Sequence, residues 1–246
     1  MRLSSALRLL LAALGTLSLA AASASAQPSW RDHLDVTRAR SAVDSFAVRA
    51  GDRTIGWQRL GWRRTTITED TPAGSVWQLS DEIALTGVHQ RSVVHLSERF
   101  VEVALRQQGE MGPRPMRIHL DRRGDRLRGS ALTPSGGADP VPLDVAAGDA
   151  VIDDNALTPL LPLLAWRDGL SITLPVLSSG TGAIESFTAT VEGPAVTTVP
   201  AGTFDVWRIA VAGGRYVLEA HVTRAAPYRL VQFGPRGAPM VSQLVR

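Results

Sequence analysis

Apolar and polar side chains alternate along most of this chain, in runs of about five to nine residues. Val101, Val103 and Leu105 share one face of such a run, and residues 116–121 and 216–222 repeat the pattern. This period of two is typical of antiparallel strands that bury one face. Turns that contain Gly and Pro separate about twelve such runs. The pattern predicts a mainly β protein with one large curled antiparallel sheet, a half-barrel or a barrel, whose polar side chains face solvent.

One segment, residues 149–169, breaks this alternation. It is rich in leucine, and its apolar residues fall on several sides of a helix, so it has to be buried. Asp153 or Asp154 can cap the start of a helix, and Pro162 would interrupt a long one. We therefore expect one or two short helical pieces near residues 153–166 that form a plug against the sheet.

A corner of sequence Val-Pro-Ala-Gly, residues 199–202, precedes another alternating run. Pro200 presets φ at the second position of a turn, and Gly202 falls at the fourth position, where Gly is favoured. The corner contains no nucleophile with an evident base. It is therefore predicted to be a hairpin turn and not a catalytic loop.

The first 26 residues have the organisation of a secretory signal peptide. Arg2 and Arg8 are positively charged, an apolar run follows from residue 9 to residue 22, and Ala24-Ser25-Ala26 has the pattern of a cleavage site. The apolar run is short for a membrane span. We expect cleavage near Ala26, a periplasmic or secreted location, and no segment that spans the membrane.

After such a cleavage, residues 27–42 form an N-terminal lead-in and residues 43–246 form a single antiparallel β domain that contains the helical insert. No polar linker divides this domain. The chain has no Cys, so an apolar core and not a set of disulfides has to stabilise it.

Charge and composition exclude several classes of function. Without Arg2 and Arg8 the formal net charge falls from +3 to +1. The densest arginine pairs, Arg63-Arg64 and Arg122-Arg123, lie near acidic residues and are expected in solvated turns, so no basic cluster indicates nucleic acid as a partner. The chain has no Lys, which excludes Schiff-base catalysis, attachment of pyridoxal phosphate and a P-loop.

The five histidines are the remaining candidates for catalysis or metal binding. His119 shares a strand face with Asp121, and His221 shares one with Glu219, but two ligands do not form a metal site. The sequence has no HExxH motif and no Gly-x-Ser-x-Gly motif. We therefore assign no catalytic residue, no metal and no cofactor, and we expect the histidines on the solvated side of the sheet.

Tryptophans and leucines are the candidates for a ligand site. Aromatic residues in strands usually pack in the core, but a curled sheet can also enclose an apolar cavity. If the plug covers one end of such a cavity, six residues would line it: Trp57, Trp77, Leu160, Leu164, Trp166 and Trp207. Core packing without a cavity is the alternative.

Three stretches resemble a known family. Residues 149–177, 196–214 and 226–233 are similar to bacterial envelope proteins of domain-of-unknown-function family 3108. The resemblance covers most of residues 43–246. It implies an architecture distantly like that of the periplasmic lipoprotein-carrier β clams, an antiparallel sheet wrapped around a short helical plug, and it implies no particular chemistry.

Three functions are compatible with such a protein. The first is a non-enzymatic envelope protein that binds an apolar ligand, such as a lipid or an acyl chain, and the apolar plug favours it. The second is a structural or interaction module with a filled core that contacts another envelope protein. The third is a hydrolase, in which His89, His95, His119 or His221 would have to meet an acid in one cleft.

Overall fold

The structure is a computed structural model that describes residues 29–66, 68, 71–214 and 216–246. The expected signal peptide, residues 1–26, lies outside this part of the chain. None of the helices in the described ranges has the length and apolar character needed to cross a membrane.

Fifteen strands form within these ranges, and they follow the alternating runs of the sequence. They are β1 (Ala42–Ala50), β2 (Arg53–Arg64), β3 (Trp77–Leu85), β4 (Val88–Leu96), β5 (Glu102–Met111), β6 (Arg114–Arg123), β7 (Arg126–Leu132), β8 (Val141–Ala146), β9 (Ile152–Asp153), β10 (Ser171–Ser178), β11 (Ala183–Val199), β12 (Gly202–Gly213), β13 (Tyr216–Thr223), β14 (Leu230–Pro235) and β15 (Met240–Leu244). The helices of the same ranges are α1 (Asp154–Leu160) and three short 3-10 helices, Trp30–His33, Val36–Arg38 and Leu161–Leu163.

All fifteen strands belong to one sheet, in the order β8-β7-β6-β5-β4-β3-β2-β1-β15-β14-β13-β12-β11-β10-β9. Neighbours are antiparallel, except that the two-residue strand β9 runs parallel to β10. The first and last strands pair at the centre, where Phe46 lies opposite Leu244. The two edge strands, β8 and β9, are consecutive in the chain.

This order forces the sheet to curl. A flat sheet of fifteen strands would be about 67 Å wide at about 4.8 Å per interval. The link from β8 to β9, residues 147–151, reaches at most roughly 20 Å. The two edges must therefore approach each other, and they do so without pairing. The predicted mainly β fold, a large curled antiparallel sheet with a short helical plug, is confirmed, and the sheet is open.

Side chains pack between edge strand β8 and the turn that joins β10 to β11, and we call this contact the seam. Gly182, in the turn between β10 and β11, has a φ of +77°, and a Cβ there would lie 3.1 Å from Val145 and 3.2 Å from Leu143 of β8. Gly is required at this position both for its left-handed backbone and for the close approach of β8. The turn therefore packs against the edge strand without adding to the sheet.

The plug begins at Asp153, whose Oδ1 atom accepts a hydrogen bond from the backbone N–H of Asn155 at 2.8 Å. The predicted helix cap is thus confirmed at Asp153. Pro162 stands at the start of the 3-10 helix that follows α1, so the helix tightens there and ends. The Trp166 indole N–H closes the plug by donating to the carbonyl oxygen of Leu161 at 2.6 Å.

The lead-in holds the plug from the outside. Trp30 is 1% exposed, and its indole N–H donates to the carbonyl oxygen of Ala150 at 2.7 Å. The Arg38 guanidinium donates to the carbonyl oxygen of Leu164 at 2.7 Å. Because these bonds reach Ala150, just before the plug, and Leu164, near its end, the lead-in is part of the folded unit.

The predicted hairpin turn at Pro200 is confirmed, since Val199 of β11 pairs directly with Gly202 of β12. The hairpin also bends at a bulge near Gly193, whose φ is +121°. Beyond the bulge its tip extends past β13 and β14 to the centre of the sheet, where the N–H of Ala201 donates to the carbonyl oxygen of Leu244 in β15 at 3.1 Å. The corner at Pro200 is therefore the tip of the hairpin, and the bulge at Gly193 is the hinge.

Two expectations about polar residues are wrong. Arg63-Arg64 and Arg122-Arg123 lie in strands β2 and β6 and not in turns. Arg122 is half-buried, and it donates to the carbonyl oxygens of Glu102 and Ala147. The side chain of Arg122 points into the curled sheet, because neighbouring residues of a strand face opposite sides and Asp121 lies on the outer, convex face. The sequence alone does not show which of two adjacent arginines faces the core.

Candidate functional site

The face of the sheet that carries the plug is filled at one end. Leu160, Leu164, Trp166 and Trp77 are 3%, 2%, 6% and 9% exposed. The ring of Trp77 lies 6.3 Å from that of Trp62, edge to face, and 6.0 Å from that of Phe100. These four of the six predicted ligand-lining residues thus pack in the core around the plug.

The other two predicted residues lie elsewhere. Trp57 is 37% exposed and, by register, lies on the convex face, because its neighbour Gln58 pairs with the inward Phe46. The Arg59 guanidinium stacks 4.6 Å above the Trp57 ring. Trp207 is half-buried, with the Arg224 guanidinium 4.6 Å from its ring. A ligand held inside the sheet could not contact Trp57, so the six residues do not form one site.

At the end of the concave face away from the plug, apolar side chains remain half-exposed. Ile83 pairs with Gln58 and Gln90, and these pairs place it on the same face as the core residue Leu79. We define the half-exposed inward residues of both halves of the sheet as the mouth: Ile83, Leu85, Val88, Met116, Phe187, Leu218 and Met240. The concave face therefore changes from a packed core to an accessible apolar surface along its length.

A polar group lies where the core meets the mouth. The Gln58 amide donates to both carboxylate oxygens of Asp81, at 2.9 and 3.1 Å, and accepts a hydrogen bond from the Ser242 hydroxyl at 3.0 Å. Burial raises the pKa of Asp81 to about 6, while the hydrogen bonds from Gln58 oppose this rise. The first and last thirds of the chain both contribute to this group, which local sequence patterns could not reveal.

Two carboxylates, those of Glu102 and Asp153, are buried at the junction of plug and sheet, and the exposed residue Asp154 lies beside them. Glu102, Asp153 and Asp154 belong to β5, β9 and α1. Burial raises the pKa of Glu102 to about 7, with Asp154 adding to the rise and Arg122 opposing it. Burial also raises the pKa of Asp153, and desolvation of the Asp154 carboxylate at this junction shifts its pKa in the same direction. Both carboxylate oxygens of Glu102 lack a hydrogen-bond partner in the described part of the chain.

Side chains near the start of α1 donate hydrogen bonds to two of these carboxylates. The Asn155 amide donates to Asp153 at 2.8 Å and to Asp154 at 3.0 Å, and the Ser179 hydroxyl donates to Asp154 at 2.8 Å. These bonds satisfy some of the carboxylate oxygens of Asp153 and Asp154 but do not reach Glu102. Glu102, Asp81 and Gln58 contradict the expectation that polar side chains face outward, and their inward position follows from strand register.

The histidines do not meet in one cleft. His119 lies 2.9 Å from Asp121 and His89 lies 3.3 Å from Glu82, both as exposed pairs. Within the described ranges, groups of three or more His, Asp or Glu side chains with a geometry suited to a metal ion do not occur.

His221 differs from these pairs because it is buried. The Thr197 hydroxyl lies 2.8 Å from His221 Nδ1, and Glu219 lies 3.2 Å from His221 Nε2. Burial lowers the pKa of His221, and Glu219 opposes this change. The expectation of a solvated imidazole is wrong here and also at His95, which is 9% exposed. His221 is buried because the hairpin of β11 and β12 folds over β13 and covers the side of β13 that carries His221.

Open spaces are small near the plug and larger on the convex face. A cavity of about 40 Å³ lies beside the plug, lined in part by Leu60, Trp62 and Leu163. Two grooves of about 610 and 290 Å³ share Arg106 of β5 as a lining residue. The cavity beside the plug is thus too small for a lipid chain, and its lining residues do not include the six predicted ones.

Comparisons with known proteins gave a family match and a similar solved structure. A comparison with curated proteins gave no match. The crystal structure of a beta-barrel-like protein of domain of unknown function DUF1849 from Brucella abortus is similar to this chain, with 9% sequence identity and a TM-score of 0.49. That similarity covers 83% of this chain and 95% of the other. The family described as a protein of unknown function (DUF3108) matches residues 45–233, so the predicted resemblance is confirmed and the chain belongs to this family.

Proposed function

We propose that this protein is an exported, non-enzymatic binder of an apolar ligand, such as a lipid or an acyl chain, in the bacterial envelope. The observation that supports the proposal is the mouth, where inward apolar side chains from both halves of the sheet stay half-exposed beside a packed core. Covering about 100 Å² of such surface with a ligand chain contributes roughly 2.5 kcal/mol.

The polar group of Asp81, Gln58 and Ser242 would orient such a ligand. It lies at the inner end of the mouth, where Ile83 is two residues along β3 from Asp81. Buried polar groups fix the orientation of ligands in otherwise apolar sites. We therefore expect an amphiphile whose hydrogen-bonding end meets Asp81 and whose apolar chain lies along the mouth.

The proposal is tested by extracting lipids from the purified protein for mass spectrometry and by titrating the delipidated protein with a fluorescent fatty acid. The variant Val88→Glu places a charge in the mouth and should weaken binding of the probe at least about tenfold. Val43→Glu is the matched control, because Val43 is 64% exposed on the convex face. Thermal unfolding of both variants checks that they fold.

A protein that yields no lipid and ignores the probe, or equal loss of binding in both variants, would contradict the proposal. In that case the second function, an interaction module that contacts another envelope protein, becomes the better explanation. An edge strand such as β8, paired on one side only, offers backbone groups for a partner strand.

A further inference from the structure

Strand register brings three distant arginines together on the convex face. Arg91 of β4 pairs with Gln108 of β5, which pairs with Arg117 of β6. In the adjacent row, Arg106 pairs with His119. Side chains at successive positions across a sheet lie about 5 Å apart, so Arg91 and Arg117 stand about 10 Å apart with Arg106 next to them.

These side chains line the convex groove of about 290 Å³, together with Val93, Gln108 and His119. Arg106 is held in place by Asp121, at 2.6 Å. Arg91 and Arg117 make neither ion pairs nor side-chain hydrogen bonds with other residues of the described ranges, and both are exposed. Within the described ranges, the groove therefore presents two guanidinium groups without an ion-pair partner beside a third that is fixed.

We propose that this groove binds a small ligand that carries phosphate groups, such as a pyrophosphate or a phosphorylated head group. Guanidinium groups form paired, charge-assisted hydrogen bonds with phosphate oxygens. Two such groups about 10 Å apart, with the Gln108 amide between them, match a ligand with more than one anionic oxygen centre better than a single carboxylate.

Acidic residues at the borders of the groove limit the size of the ligand. Glu82 pairs with Arg91 at one end of its row, and Glu110 and Asp121 lie in the rows on either side. A long polyanion that crosses the convex face would meet these carboxylates. The arrangement therefore selects a compact anion, and it is independent of the proposed binding of an apolar chain in the mouth.

The test is calorimetric titration of the full chain with inorganic pyrophosphate, at low and at physiological ionic strength, because salt screens exposed charges. The double variant Arg91→Gln, Arg117→Gln should weaken binding at least about tenfold. The control is Arg53→Gln, Arg167→Gln, which removes the same charge at exposed positions away from the groove and should change the affinity less than about twofold.

A second measurement separates the two sources of phosphate. Vesicles of phosphatidylglycerol in phosphatidylcholine are sedimented with each protein. Sedimentation that is lost only in the groove variant identifies a lipid head group, and binding of pyrophosphate without sedimentation identifies a soluble ligand. The proposal is overturned if the unaltered protein binds neither probe, or if the groove variant and the control weaken binding equally.

Discussion

The hydroxyl of Thr197 and the Nδ1 atom of His221 lie 2.8 Å apart, although β12 separates their strands in the sheet. They can meet only because the hairpin of β11 and β12 bends at Gly193 and folds over β13. Both residues are buried, at 7% and 8% exposure. The contact therefore fastens the part of β11 beyond the bulge to β13.

Replacing Thr197 by Val should lower the free energy of unfolding by about 1–3 kcal/mol, because it leaves the His221 nitrogen buried without a partner. Thr198→Val is the matched control. The exposed Thr198 hydroxyl is hydrogen-bonded only to the exposed Thr203 hydroxyl, at 3.0 Å. Its removal should therefore change the free energy of unfolding by less than about 0.5 kcal/mol. Urea unfolding measures both, and equal effects would contradict the fastening role.

The buried carboxylate of Glu102 should make stability fall as pH rises. Its pKa is raised by burial to about 7, above its ordinary value, so its contribution is fully present below about pH 4.5 and is lost as the pH rises through 7. Asp153 and Asp154 are shifted in the same direction. We expect Glu102→Gln to be more stable than the unaltered protein at pH 8, by on the order of 1–3 kcal/mol.

Chemical denaturation between pH 5 and pH 8 measures this effect, with Glu98→Gln as the control because Glu98 is exposed. The control should leave the pH dependence unchanged, and Glu102→Gln should flatten it. A Glu102→Gln profile that keeps the full slope would mean that the carboxyl is solvated in the folded state.

The seam next to β8 should be sensitive to a single methyl group. Gly182→Ala adds a Cβ at 3.1 Å from Val145 and 3.2 Å from Leu143 at a φ of +77°. Gly237→Ala has the same φ but meets no atom within 4 Å. The backbone penalty of roughly 1–2 kcal/mol is shared, and Gly182→Ala should lose about 1–3 kcal/mol more by overpacking. The melting temperatures of the two variants measure this difference. Equal losses of stability would show that the side chains at the seam move aside at little cost in free energy.

Local patterns in the sequence were sufficient to predict the sheet, the plug and the turn at Pro200. Each depends on near neighbours: alternation within a strand, an acidic cap before a helix, and Pro and Gly at fixed turn positions. The inward position of Glu102 and the meeting of Gln58 with Ser242 depend instead on which strands pair and in what register. A shift of one residue would turn each of these side chains to the other face.

The tryptophans show the same limit. Trp57 and Trp77 both occupy alternating strands, yet one lies under an arginine on the convex face and the other lies in the core. Their surroundings in the sequence are similar, and only the long-range packing of the plug against β3 distinguishes them. The predicted contact of Leu160, Leu164, Trp166 and Trp77 with a ligand stays a prediction.

The central pairing of β1 with β15 has a consequence for how the molecule is assembled after synthesis. Nearly all other strands pair with their neighbour in the chain, so each half can form as a series of hairpins with little loss of chain entropy. The pairing of Phe46 with Leu244 must wait until the last residues have been made. Until then each half carries an unpaired central strand, and the nascent chain is open to association with other chains at that point.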